Sequence, residues 1–281
     1  MRSVSSGDLR VELLDPVADR ARLGPRFCWG GFIWQVHHRV AGPLFTGPEW
    51  PEPTPLPFNG QGLPESFRHK TRTGQPFTWD GPRGVALGAG ELATVDGEVR
   101  VVTPCTWTAT EFACGARYRT EQSAAGWTYE LERTVELLDD ELRSSSRLTN
   151  RSDRPLTLEW FAHPFFPLTA NRIALRVPAG SRLPENPGFA LVDGELRQKR
   201  DFLGKEDGQF EILTLPAGQP LSCRVAHPKV SHVDFATSFV PSEVVVWGNG
   251  NTFSIEPYLA LHLAPGETRA WDLRYRFGSI S

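Results

Sequence analysis

Four cysteines, one methionine and no long apolar run set the first limits on this chain of 281 residues. Cys28, Cys105, Cys114 and Cys223 fit neither a C-x-x-C pair nor a zinc knuckle, so they read as reduced, structural thiols. No stretch approaches the roughly 18 apolar residues of a membrane span. The opening MRSVSSGDLRVELLDP lacks the apolar core of about 7–15 residues that an export signal needs. A cytoplasmic protein without a membrane partner is therefore expected, and the sequon Asn150-Arg151-Ser152 would meet no glycosylation machinery. Charge of one sign is also missing: 30 Lys and Arg against 33 Asp and Glu leave −3, no footprint for nucleic acid. Phosphate-cradling loops, H-E-x-x-H and G-x-S-x-G are absent. The adjacent His37 and His38 would point to opposite faces of a strand and could not share an ion, His227 and His232 are five apart in no recognised ligand spacing, and His262 lies in an apolar strand near a turn. No metal is expected.

What is present is a core and many breakers. Hydrophobic residues make up 40% and charged ones 22%, enough apolar side chains to fold. Twenty-six Gly and 24 Pro argue for short segments joined by turns, and no amphipathic helix longer than about two turns can be drawn. The period is two. Trp127, Tyr129, Leu131, Val135 and Leu137 alternate with mostly polar partners, and 142–148 returns through a serine-rich middle. After the turn Asn150–Pro155, Leu156, Leu158 and Trp160 alternate again, so an antiparallel meander is predicted. Asp96-Gly97 and Asp193-Gly194 carry the chemistry of type I′ hairpin turns. Further strands are predicted at Val244–Trp247, Phe253–Tyr258 and Trp271–Phe277. The fold class is all-β: one large antiparallel β-sandwich domain over 1–281. Its Pro- and Gly-rich region, about 41–83, has aromatics that argue for packing rather than for a disordered linker.

Two side chains stand out. His163, in Glu159-Trp160-Phe161-Ala162-His163-Pro164-Phe165-Phe166, ends a strand on the face of Phe161 and Phe165. An imidazole with a reference pKa near 6.5 can donate a proton at neutral pH, although a hydrogen-bonded core histidine shows the same local pattern. Glu256 shares a strand face with Ser254 and Tyr258, opposite Phe253, Ile255 and Pro257. It faces either solvent or a polar pocket, and in a pocket partial desolvation would make it a general base.

These segments, with their neighbours, resemble the aldose 1-epimerase, or galactose mutarotase-like, superfamily. The matching order is Leu148-Thr149-Asn150, His163-Pro164-Phe165-Phe166, Glu256-Pro257 and Leu263-Ala264-Pro265-Gly266-Glu267. The resemblance runs over about 9–277 and is strongest in 127–277. It implies the galactose mutarotase-like supersandwich and a small-molecule sugar, or sugar derivative, as substrate. It further implies that Glu256 takes the proton of the anomeric hydroxyl and His163 protonates the ring oxygen, with no cofactor and no metal.

The first half departs from the pattern. The superfamily carries another histidine in a His-Gly-x-x-Arg setting, and the comparable stretch here is Gly60-Gln61-Gly62-Leu63-Pro64-Glu65-Ser66-Phe67-Arg68-His69. One register puts Glu65 in the histidine's place with Arg68 as the arginine; another uses His69. Arg26 is a candidate sugar-contacting arginine, and Asp201 and Asp207 lie in the interval of the sugar-binding aspartate. The segment 58–69 is expected to line the pocket of His163 and Glu256, with Arg68 inside it and Glu65 as its partner. Two functions follow: an enzyme interconverting sugar anomers, or a non-catalytic carbohydrate-binding or regulatory protein on the same fold. An unrelated β-sandwich adaptor is a third, and it would present a flat apolar patch in place of a cleft.

Overall fold

The computed structural model describes residues 1–68 and 77–280. Strands dominate it; among the described residues the one helical element is a single 3-10 turn, Arg20–Arg22. Two sheets form the sandwich. The larger has ten strands and is centred on Trp127–Leu138, Glu141–Asn150 and Thr268–Phe277. The smaller runs Gln209–Ile212, Glu243–Gly248, Phe253–Leu263, Leu156–Ala162 and Glu65–Arg68, each strand antiparallel to its neighbour. Two four-stranded sheets, from residues 2–43 and 79–104, complete the fold.

The predicted hairpins are present. Asp96 and Gly97 both adopt positive φ (52° and 80°), as do Asp193 and Gly194 (50° and 76°), the backbone that a type I′ turn requires. The meander differs. Trp127–Leu138 pairs with Glu141–Asn150 as expected, but Leu156–Ala162 leaves for the smaller sheet, and Thr268–Phe277 takes its place. The corner at Asn150 is anchored where the chain changes sheet. Its side-chain amide donates to the carbonyls of Arg154 and Leu263, tying the turn to the strand that Leu156–Ala162 joins.

The inner faces of the two sheets enclose the core, where Trp160 lies 5.3 Å from Trp271 and Phe67 6.2 Å from the same ring. The serine-rich strand has a physical reason here. Ser144 and Ser146 point inward beside the fully buried Arg133, leaving room for a guanidinium where larger side chains would clash. Arg133 pairs with Glu65 at 2.5 Å and donates to Ser144 at 2.9 Å. Region 41–83 packs as its aromatics suggest at Phe45 and Phe67, which are buried, but Phe58 stays exposed. No helix among the described residues is long and apolar enough to cross a membrane.

Candidate functional site

The outer face of the smaller sheet builds a cavity of about 950 Å³. Cross-strand neighbours share a face, so register decides what enters it. Ser66 sits opposite Phe161 and Arg68 opposite Glu159; Phe161 faces Tyr258, and Trp247 faces both Ser254 and Phe210. His163 and Glu256 both line this cavity. The alternation read for Ser254, Glu256 and Tyr258 therefore selects the polar pocket over bulk solvent.

The imidazole is held on every side. Its backbone N–H donates to the carbonyl of Pro64 at 2.9 Å, and the following residues bridge to Gly62 and Phe253. Its Nε2 lies 3.4 Å from Glu256 Oε1, and its Nδ1 lies 3.0 Å from the Ser254 hydroxyl. A carboxylate only accepts, so this pattern assigns the proton to Nε2, with Ser254 donating to Nδ1. Phe165 packs on the ring at 4.4 Å, and Trp247 and Phe27 meet it edge-on at 5.9 and 6.4 Å. Burial, reinforced by the Arg26 guanidinium, pushes the His163 pKa well below 6.5. Glu256 is also buried, and the Tyr258 hydroxyl donates to its second oxygen at 3.3 Å.

The candidate binding residues divide. Arg26 lines the cavity, donates to the Phe58 carbonyl at 3.1 Å and lies over the Phe27 and Phe58 rings at 5.0 and 4.9 Å. Burial lowers its pKa, opposed by the Glu256 charge. Arg68 lines the cavity as expected, but its partner is Glu159 at 2.7 Å, and it lies 4.8 Å over the Tyr258 ring. Glu65 corrects the expectation. One residue along a strand reverses the face, so while Ser66 and Arg68 look into the cavity, Glu65 turns into the sandwich toward Arg133 and Ser144. There it belongs to the core, outside the cavity lining. His69 lies outside the described residues. Asp201 and Asp207 pair with Arg172 and Arg200 and do not line the cavity.

Three further described histidines have partners of their own. His227 is buried, with Nε2 on the Leu44 carbonyl and Nδ1 accepting from the backbone of Lys229 and Val230. His37 faces Glu12, and His262 faces Thr157. Among the described residues no cluster of His, Cys, Asp or Glu could hold a metal ion. Sequence reasoning missed Tyr258, Ser254 and Trp247 as site residues. The first two were legible as neighbours of Glu256 on its face, whereas Trp247 enters through a strand pairing.

No family model matches the chain, and no curated protein matches it in sequence. Solved structures do. A galactose mutarotase related enzyme from Lactobacillus acidophilus covers 100% of this chain and 98% of its own, with TM-score 0.64 at 14% identity. A galactose mutarotase-like protein from Lactobacillus casei covers 99% of both chains, with TM-score 0.61 at 13% identity. One from Clostridium acetobutylicum covers 99% of this chain and 94% of its own, with TM-score 0.59 at 12% identity. The chain thus has the galactose mutarotase-like β-sandwich fold.

Proposed function

We propose that the cavity binds a sugar and that Glu256 and His163 interconvert its anomers. The observation that carries this reading is the 3.4 Å separation of His163 Nε2 and Glu256 Oε1 on the cavity floor. The anomeric hydroxyl and the ring oxygen of a pyranose share one carbon, so an acid and a base serving both must lie within reach of a single ring. Glu256 takes the proton of the anomeric hydroxyl while His163 Nε2 gives one to the ring oxygen, and the bond from C1 to the ring oxygen breaks. Rotation about C1–C2 and reclosure with the proton roles reversed give the other anomer. Tyr258 and Ser254 hold the two groups in register, and Arg26 and Arg68 supply donors for hydroxyls. A cytoplasmic setting is part of the proposal, in keeping with four free thiols.

Exchange NMR on glucose and galactose tests it: the protein should accelerate exchange between the α and β anomeric signals. The acid must be imidazolium, so the depressed His163 pKa has a kinetic consequence: kcat/KM should rise as pH falls from about 8 toward about 6. A second reading, a sugar-binding protein without turnover, is favoured by that same depressed pKa, since the imidazole is neutral at rest. Binding of the same sugars without accelerated exchange at any pH would select it.

A further inference from the structure

We propose that a second, smaller cavity, adjoining the one described above, binds a small organic anion: a carboxylate or phosphate monoester carried on a compact apolar body. It lies between the chain around the turn Arg20–Arg22 and the strand Glu98–Pro104, and its volume is about 330 Å³. That is the low end of the roughly 300–1,000 Å³ of ligand pockets, the scale of one ring with a charged group.

The lining has two parts. Leu23, Trp29, Val99 and Val101 make an apolar wall. The Trp29 indole N–H is spent on the Gly24 carbonyl at 2.9 Å, so its ring offers the cavity carbon rather than a donor. The polar part is two guanidiniums, Arg20 and Arg100, and among the described residues no carboxylate lines the cavity. Arg20 is exposed, lies over the Trp29 ring at 5.7 Å and has no ion pair among the described residues. Arg100 pairs with Glu98, two positions along its own strand, at 3.0 Å, and both side chains are more than half exposed. Such a pair is weak and readily exchanged for another carboxylate. A guanidinium fork binds carboxylate or phosphate through two parallel hydrogen bonds, and the wall beside it covers the ligand's apolar body.

Residues 98–100 join the two cavities. Glu98 lines the larger and Arg100 the smaller, while Val99 lines both, as does Pro25, the residue before Arg26. An anion that takes Arg100 from Glu98 therefore leaves an uncompensated carboxylate on the larger cavity. This holds whatever that cavity binds.

Ligand-observed NMR titrations of the full chain with benzoate, phenyl phosphate, inorganic phosphate and benzyl alcohol test the site. Benzoate or phenyl phosphate should bind at least about tenfold more tightly than both inorganic phosphate and benzyl alcohol, and which of the two binds better tells carboxylate from phosphate. Arg20→Ala and Arg100→Ala should each weaken that binding by about tenfold. Arg22→Ala removes a neighbouring cation that lies over Trp34 and does not line the cavity, and it should leave the affinity within about twofold. Glu98→Gln should tighten binding, because the anion no longer competes for Arg100. Binding of neither organic anion, equal binding of inorganic phosphate, an affinity untouched by Arg20→Ala and Arg100→Ala, or an equal loss in all three arginine variants would overturn the site. An affinity unmoved by Glu98→Gln would overturn the exchange at Arg100.

Discussion

Glu65 and Glu256 are two glutamates on neighbouring regions of one sheet, 3% and 4% exposed, and the difference between them is instructive. Glu65 points inward and meets a permanent cation: Arg133 at 2.5 Å, with the Ser144 hydroxyl as a further donor. Burial works against the Arg133 charge, but the Glu65 carboxylate prevails and holds its pKa above the ordinary range. Such a pair, closed inside a core, ties the strand Glu65–Arg68 to the larger sheet. Glu256 points outward and meets a neutral imidazole, a tyrosine hydroxyl and a cavity. Burial alone therefore does not mark a functional carboxylate. On the function proposed above, what singles out Glu256 is a titratable partner on an open site.

The comparison can be broken first on the structural side. Glu65→Ala leaves Arg133 as an uncompensated buried charge, and we expect a loss of about 3–5 kcal/mol in urea unfolding, the largest stability effect in the chain's polar network. A loss below about 1 kcal/mol would remove Glu65 from the core scaffold.

The next effect belongs to His163. In the unfolded chain an imidazole takes up a proton near 6.5, whereas burial and Arg26 keep the folded one neutral to well below that. Below about pH 6.5 the unfolded state thus binds more protons, and stability should fall as pH drops, by up to about 1.4 kcal/mol per unit for each such group. His227, lowered mainly by its own burial, contributes with the same sign. Urea midpoints between about pH 8 and 5.5 should decline for the parent and decline less for His163→Asn. Parallel profiles would show that His163 does not carry this linkage.

The smallest effect is at Arg68. Its pair with Glu159 is partly exposed, so Arg68→Ala should cost about 1 kcal/mol or less in stability while weakening sugar binding measurably by calorimetry. Unchanged sugar affinity would return Arg68 to a surface role.

How far the sequence could be read follows the same divide. That His163 and Glu256 line one cavity was legible because each sits in a short pattern shared with the superfamily, His-Pro-x-Phe and Glu-Pro, and because period two assigns a face without knowing the partner strand. Glu65 was not. Its loop-like surroundings, Gly60 to Pro64, hide a short strand, and only the pairing of Ser66 with Phe161 decides which residues look outward. Arg133 sits at a buried position of its strand, where alternation calls for an apolar residue, and its partner lies 68 positions away. Phe58 and Trp247 reach one cavity from opposite ends of the chain, and only the tertiary fold brings them together. The path of Leu156–Ala162 out of the meander likewise involves distant partners: the Asn150 side chain at its corner bonds Leu263, 113 positions away.

The most direct measurement sets Glu256→Gln beside Glu65→Gln, following anomer exchange by NMR and stability by urea unfolding in the same buffer. The account predicts a crossover. Glu256→Gln should lower exchange by at least about 10²-fold while keeping its unfolding midpoint, and Glu65→Gln should lose stability while its folded fraction keeps exchange within a few-fold of the parent. Exchange surviving in Glu256→Gln, or lost in a fully stable Glu65→Gln, would contradict the assignment of the two glutamates.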